Sequence, residues 1–251
     1  MPSRRHFSIV ALALGNFVVG LSILLPTGML AELSSGLGVS IGTVGLLISL
    51  GAGVVCVSPP LVASVTSRID RRTLLSAILL WLALGHIASV FAPNYASLLA
   101  IRLAMLAFAG AFTPLAAGTA ALLVSENKRA SAIASVLLGW ALAIAIGLPL
   151  VSVTAPQIGW QATYTLLGIL AALGFLALLL GLPKQLKGLA ISARLGWFRH
   201  GVRSGPPPFS WFALSWAQRF GRLARGYIRW RLARPSGVSG LPPRPPCSRS
   251  G

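Results

Sequence analysis

Six long apolar stretches separated by short polar turns dominate the chain, at residues 8–31, 42–65, 73–92, 97–124, 131–154 and 162–182. Each is near the ~20 residues with which an α-helix crosses a hydrocarbon core. β-Strands do not fit, because the runs are too long and an open strand leaves its backbone groups unsatisfied in lipid. The first stretch exceeds the ~7–15 apolar residues of a secretion signal, so it reads as a retained helix. The pattern predicts an all-α membrane protein with six transmembrane helices within residues 1–187.

The turns carry the orientation. Arg4 and Arg5 precede the first span; Arg68, Arg71 and Arg72 lie between the second and third; Lys128 and Arg129 lie between the fourth and fifth; Lys184 and Lys187 follow the sixth. The three intervening turns, near Glu32, Asn94 and Gln157, hold no Lys or Arg. Basic turns stay cytoplasmic, so both termini are expected inside. Phe91, Tyr95, Trp160 and Tyr164 fall at expected outer boundaries, where aromatic side chains anchor helices to the interface.

Small residues recur every fourth position at Gly45, Ser49 and Gly53 in the second span, and at Gly139, Ala143 and Gly147 in the fifth. That spacing lets helix backbones approach closely. Pro59 and Pro60 in the second span and Pro149 in the fifth come at similar depths, the arrangement expected of 3+3 inverted repeats.

Composition sharpens the membrane reading. Hydrophobic residues make up 55% of the 251 and charged residues 10%, against about 25% charged in a soluble domain. The acids are Glu32, Asp70 and Glu126 alone. The net charge of +18 suggests nucleic acid until its distribution is read: eight basic residues lie in 1–182 and thirteen from Lys184 onward. The charge therefore belongs to the end of the chain, and nucleic acid is not an expected partner of the helical part. Cys56 and Cys247 make no disulfide framework, and His6, His86 and His200 are scattered, so no metal or other cofactor is expected.

Four places carry a family likeness. They are Gly28-Met29-Leu30-Ala31-Glu32-Leu33 with Leu37-Gly38-Val39-Ser40; Ser67-Arg68-Ile69-Asp70-Arg71-Arg72; Arg102 followed by Gly110, Thr113 and Pro114; and Gly147-Leu148-Pro149, with Gly139 before it and Gly159-Trp160 after it. In order and spacing, from about residue 8 to 187, the chain resembles the N-terminal half of the major facilitator superfamily. Within it, the likeness is to bacterial drug:proton antiporters of the arabinose efflux permease type. The resemblance implies half of a major facilitator fold in a bacterial inner membrane. It implies a transporter rather than an enzyme, exporting a drug or sugar against protons. Three departures stand out. Ser67 and Asp70 occupy positions where the loop between helices 2 and 3 usually has Asp and Gly, which removes an acid that would latch the inward face and leaves Asp70 as the substitute at hand. Leu150 and Val151 follow Pro149 in place of glycines. Ser22 and Ile23 stand midway along the first span, where many relatives carry an acid.

Arg102 is the first candidate for the transport pathway. A charge inside a span costs ~2.5–3.5 kcal/mol on insertion scales and usually faces a bundle interior or aqueous cavity. The resemblance gives it a part in proton coupling or substrate handling. The competing reading is that it reaches back to the outer interface, only ~7–8 Å away along its helix. Asn16 either lines a path or hydrogen-bonds a neighbouring helix, and His86 either relays protons or is simply hydrogen-bonded. Arg68, Arg71 and Arg72 hold their loop inside and meet anionic lipid heads.

From residue 188 the composition changes to eleven Arg with no Lys, Asp or Glu, and to runs such as Pro206-Pro207-Pro208. Residues 188–251 are expected to be a disordered Arg/Pro/Gly-rich tail. One reading is a frame shift near residues 187–190 of a GC-rich gene; the other is a genuine basic tail. The expectation is a half-length transporter, with a parallel homodimer as one way to complete it, since the two halves of the fold are related by an axis along the membrane normal. The alternative is an inactive fragment, or a non-transporting membrane protein whose tail grips anionic lipid or another macromolecule.

Overall fold

The computed structural model describes residues 2–66 and 69–183. The chain there folds as α1 (Pro2–Gly28), α2 (Leu30–Leu37), α3 (Ile41–Val65), α4 (Arg71–Val90), α5 (Tyr95–Leu122), α6 (Arg129–Leu142), α7 (Leu148–Ile158) and α8 (Trp160–Gly181), with no strand among the described residues. Six stretches are long and apolar enough to cross a membrane: α1, α3, α4, α5, the α6–α7 run and α8. This is the six-span all-α architecture expected. The tail from residue 188, with Ser67 and Arg68, lies outside the described residues.

Local chemistry sets the helix ends. Ser40 caps α3 by accepting from the Thr43 N–H, and Asp70 caps α4 by accepting from the N–H groups of Arg72 and Thr73. Asn94 and Ser97 form a reciprocal capping box at α5. Each satisfies donors that the first turn of a helix leaves orphaned. The helix expected over 8–31 ends early, because Met29 leaves helical geometry at φ −141°, and α2 begins at Leu30 and runs through the turn expected near Glu32. α2 then stops at Gly38, whose φ of 63° is a left-handed cap that glycine adopts without a Cβ penalty. The fifth span is interrupted by a π turn at Ala143–Gly147. Pro149 has no N–H and its ring presses on the carbonyl four residues back, so a wider turn just before it absorbs the fault.

α1 lies at the centre, packed on α5, α6, α7 and α8; α4 sits between α5 and α8, and α3 packs mainly on α5. Glycines mark the closest crossings. A Cβ on Gly139 would run into the Ala13 carbonyl of α1, one on Gly110 into the Val55 carbonyl of α3, and one on Gly168 into Ile87 and the base of His86. The two small-residue stripes differ. Gly139, Ala143 and Gly147 pack on α1, whereas Gly45 and Gly53 have nothing within 4 Å, and Ser49 faces outward. α3 makes its contact through Gly51 against Leu106 instead. The small-residue face expected on the second span is therefore not a packing face within this bundle.

Outward positions are apolar, among them Leu61, Leu84, Leu150, Leu173 and Leu180, as a bundle solvated by lipid requires. The aromatic residues correct another expectation. Phe91 is exposed, and Tyr95 donates its hydroxyl to the Thr43 carbonyl at 2.7 Å. Trp160 and Tyr164 instead turn inward into one apolar cluster with Met29, Leu33, Val44 and Leu98. The reason is the small face of α8 around Gly168 and the bare Gly36, against which the Trp160 indole lies.

Candidate functional site

The candidate site begins with a backbone fault in α1. Pro26 has no N–H, so the carbonyl of Ser22, four residues back, loses its helical donor. Arg102, about 10 Å along α5 from Tyr95, fills that vacancy: Nη1 donates to the Ser22 carbonyl at 3.3 Å and Nη2 to the Ile23 carbonyl at 2.7 Å. The side chain is 1% exposed, so the guanidinium turns into the bundle and does not reach back to the interface.

The Ser22 hydroxyl connects this arginine to a histidine. Ser22 Oγ donates to the Val18 carbonyl at 2.7 Å and lies 2.8 Å from His86 Nε2. A hydroxyl has one proton. With that proton on Val18, His86 donates from Nε2–H and its Nδ1 carries a bare lone pair, a tautomer assigned from the network. The His86 ring lies 5.7 Å from the Tyr164 ring, and Trp160 stands edge-on to Tyr164 at 6.1 Å. The Tyr164 hydroxyl sits beside the Arg102 guanidinium. Arg102 Nε and His86 Nδ1 are buried without a hydrogen-bond partner, and the Tyr164 hydroxyl can only accept from the guanidinium, so its own O–H stays unspent. Gly51 of α3 faces Arg102 Nε.

Asn16 forms a separate knot, about 9 Å back along α1 from Ser22. Its Nδ2 donates to the Val136 carbonyl of α6 at 3.0 Å, and its Oδ1 accepts from the Thr113 hydroxyl of α5 at 2.7 Å. That pattern ties three helices together. Of the three pathway candidates, Arg102 and His86 thus meet through Ser22, and Asn16 does not join them.

The loop between α3 and α4 ties helix ends. Arg71 Nη1 donates to the Leu115 carbonyl of α5 at 3.5 Å, and Arg72 Nη2 donates to the Leu179 carbonyl of α8. Asp70 spends Oδ2 on its own helix cap. The one ion pair among the described residues is Arg129–Glu126, at 3.2 Å on the surface. Among the described residues Asp70 acts as a cap and makes no interhelical ion pair. Gly139 and Gly147 bring α6 and the π turn against α1, and Pro149 follows that turn.

Sequence reasoning did not single out Tyr164 as part of the site, and named Ser22 only as the place of a missing acid. A signal for Tyr164 existed. It shares a helical face with Gly168, Ala171 and Gly174, and small residues at that spacing mark a face that packs on neighbours.

The chain matches the family described as the Major Facilitator Superfamily over residues 12–233. A "Probable sugar efflux transporter" of Mannheimia succiniciproducens is 29% identical over 197 residues, covering 76% of this chain and 50% of that protein. The "Inner membrane transport protein YdhP" of Escherichia coli is 33% identical over 179 residues, covering 71% and 46%. An "Uncharacterized MFS-type transporter YbcL" of Bacillus subtilis is 32% identical over 172 residues, covering 68% and 43%. The chain spans about half the length of these relatives. Among solved structures, a peptide transporter POT in complex with sulfate superposes with a TM-score of 0.61 at 18% identity, over 90% of this chain and 45% of that one. At that identity the likeness concerns the fold.

Proposed function

The chain belongs to the major facilitator superfamily, and from that premise we propose that it forms the six-helix half of a secondary transporter exporting a sugar or drug-like molecule in exchange for protons. The observation that carries this reading is Arg102, fully buried among membrane-spanning helices and joined through Ser22 to His86. A charge held in such surroundings marks a solute or ion pathway by default. The name of the Mannheimia relative supports sugar efflux. The roles proposed are solute or proton handling for Arg102 and His86, and helix tying for Asn16.

Alternating access in this fold rocks two six-helix bodies around a midplane site. A second copy inserted in parallel is the partner proposed to complete the pathway. The open Gly45 and Gly53 face of α3 supports a surface that another bundle covers.

The test is flux into proteoliposomes under an imposed pH gradient, with labelled sugars as solutes. The native chain is expected to move solute in a gradient-dependent way, and Arg102→Ala is expected to lose at least about tenfold of that rate. Undiminished flux in Arg102→Ala removes the proposed role. No flux from any preparation, with vesicle binding lost when the chain is ended at Lys187, favours the lipid-gripping alternative.

A further inference from the structure

We propose that the cluster of Arg102, Tyr164 and His86 is a binding site for a small carboxylate bearing a neighbouring hydroxyl, the chemistry of a short hydroxy acid or a sugar acid. The identification of this anion as the transported solute rests on the transporter reading above; the binding site itself does not.

Three acids exist in the chain, and none reaches this cluster. Asp70 caps α4, Glu126 pairs with Arg129, and Glu32 lies half-buried in the first turn of α2. On every element packed against His86 the charged or titratable groups facing it are Arg102 of α5 and Tyr164 of α8; α1 contributes only the Ser22 hydroxyl. The guanidinium therefore has no counter-charge from the described residues. Two carbonyl dipoles offset part of its burial, but a buried ion without an opposite charge remains expensive. An external anion is the partner that removes that cost.

Arg has five N–H donors in a fork shaped for carboxylates. Two are spent on Ser22 and Ile23, and Nε–H meets no acceptor. The Tyr164 hydroxyl beside it is a second idle donor. Together they offer two donors to one carboxylate. His86 Nδ1 is an idle acceptor, which calls for a donor on the same ligand, and a hydroxyl next to the carboxylate supplies one. A lipophilic cation finds nothing here but like charge.

Ser22 fixes both Arg102 and His86, Gly168 seats the base of His86, and Gly51, packed on Leu106, puts no side chain against Nε. Tyr164 packs in one apolar cluster with Trp160, Met29 and Leu33, which keeps water from competing for the donors.

The test is thermal unfolding of the purified full chain in nanodiscs, titrated with glycolate, lactate, acetate, propionate, chloride, glucose and tetraphenylphosphonium. A ligand that binds only the folded state raises the midpoint in a saturable way. Glycolate and lactate are expected to do so, with acetate and propionate weaker by about threefold to tenfold for the lost hydroxyl. Arg102→Gln is expected to abolish the effect, and Tyr164→Phe, checked for unchanged elution and helicity, to weaken it by about threefold to tenfold. If Arg102→Gln does not fold, Tyr164→Phe decides alone. No saturable rise with any carboxylate overturns the proposal. So does an equal rise with chloride, an unaltered rise in Tyr164→Phe, or a larger rise with the phosphonium. The two readings also fail separately. Gradient-driven sugar flux without carboxylate binding sinks this site and leaves the transporter, whereas saturable carboxylate binding with no gradient-driven flux of sugar or of labelled glycolate does the reverse.

Discussion

At the scale of single residues, Gly45 and Gly139 look interchangeable in the sequence, since each opens a run of small residues at four-residue spacing. They are not interchangeable in the fold. A methyl group on Gly139 lands on the Ala13 carbonyl oxygen, which is backbone and cannot rotate away; one on Gly45 meets nothing within 4 Å. Gly139→Ala is therefore expected to cost about 1–3 kcal/mol, the range for overpacking a filled interface. Gly45→Ala is expected to be neutral or to gain up to about 1 kcal/mol, because Ala is the better helix former. Unfolding midpoints in one detergent check both, and a shared sign would contradict the packing described. Spacing reveals that a face is small, but not whether a neighbour lies on it. The same gap hid the inward turn of Trp160 and Tyr164, because proximity to a helix end reads as an interface while the direction of the side chain depends on the small face of α8 around Gly168 and on Gly36 of α2 opposite.

At the scale of elements, hydropathy was enough to read all six spans, since crossing ~30 Å of hydrocarbon demands a length and a composition that little else produces. It missed what does not change hydropathy. The break at Met29 falls inside the apolar run that ends at residue 31, so the start of α2 at Leu30 went unseen, and the π turn at Ala143–Gly147 is as apolar as the helices it joins. The turn before α4 gives the element-scale prediction. If Asp70 serves as a cap, its geometry matters and its charge does not. Asp70→Asn is then expected to keep stability within about 0.5 kcal/mol, and Asp70→Ala to lose about 1 kcal/mol. An interhelical latch would respond in the opposite way, failing equally in both variants. Guanidinium unfolding of the two variants distinguishes a cap from a latch, while the carbonyl contacts of Arg71 and Arg72 stay in place as ties between α4, α5 and α8.

At the scale of the whole molecule, side-chain hydrogen bonds gather the basic turns at one end without reference to any membrane. Ser8 near the start of α1 donates to the Gly181 carbonyl at the end of α8, and Arg72 donates to Leu179 in the same turn of α8. Arg71 reaches the last third of α5, whose end leads into the Lys128–Arg129 turn. At the opposite end the Tyr95 hydroxyl joins α5 to the start of α3, and Trp160 lies on Gly36 of α2; no Lys or Arg stands there. An anionic cytoplasmic leaflet attracts each basic side chain by about 1 kcal/mol, and the positive-inside rule then orients the bundle. In a chain carrying Cys56→Ser and Cys247→Ser, Gln157→Cys is expected to react with an impermeant maleimide added to intact cells. Asn127→Cys, exposed in the turn before α6, is expected to react only after permeabilisation. Reversed labelling would mean that charge does not set the orientation. Labelling of both positions from outside would place two successive odd and even turns on one side, which a span running unbroken through α6 and α7 does not permit.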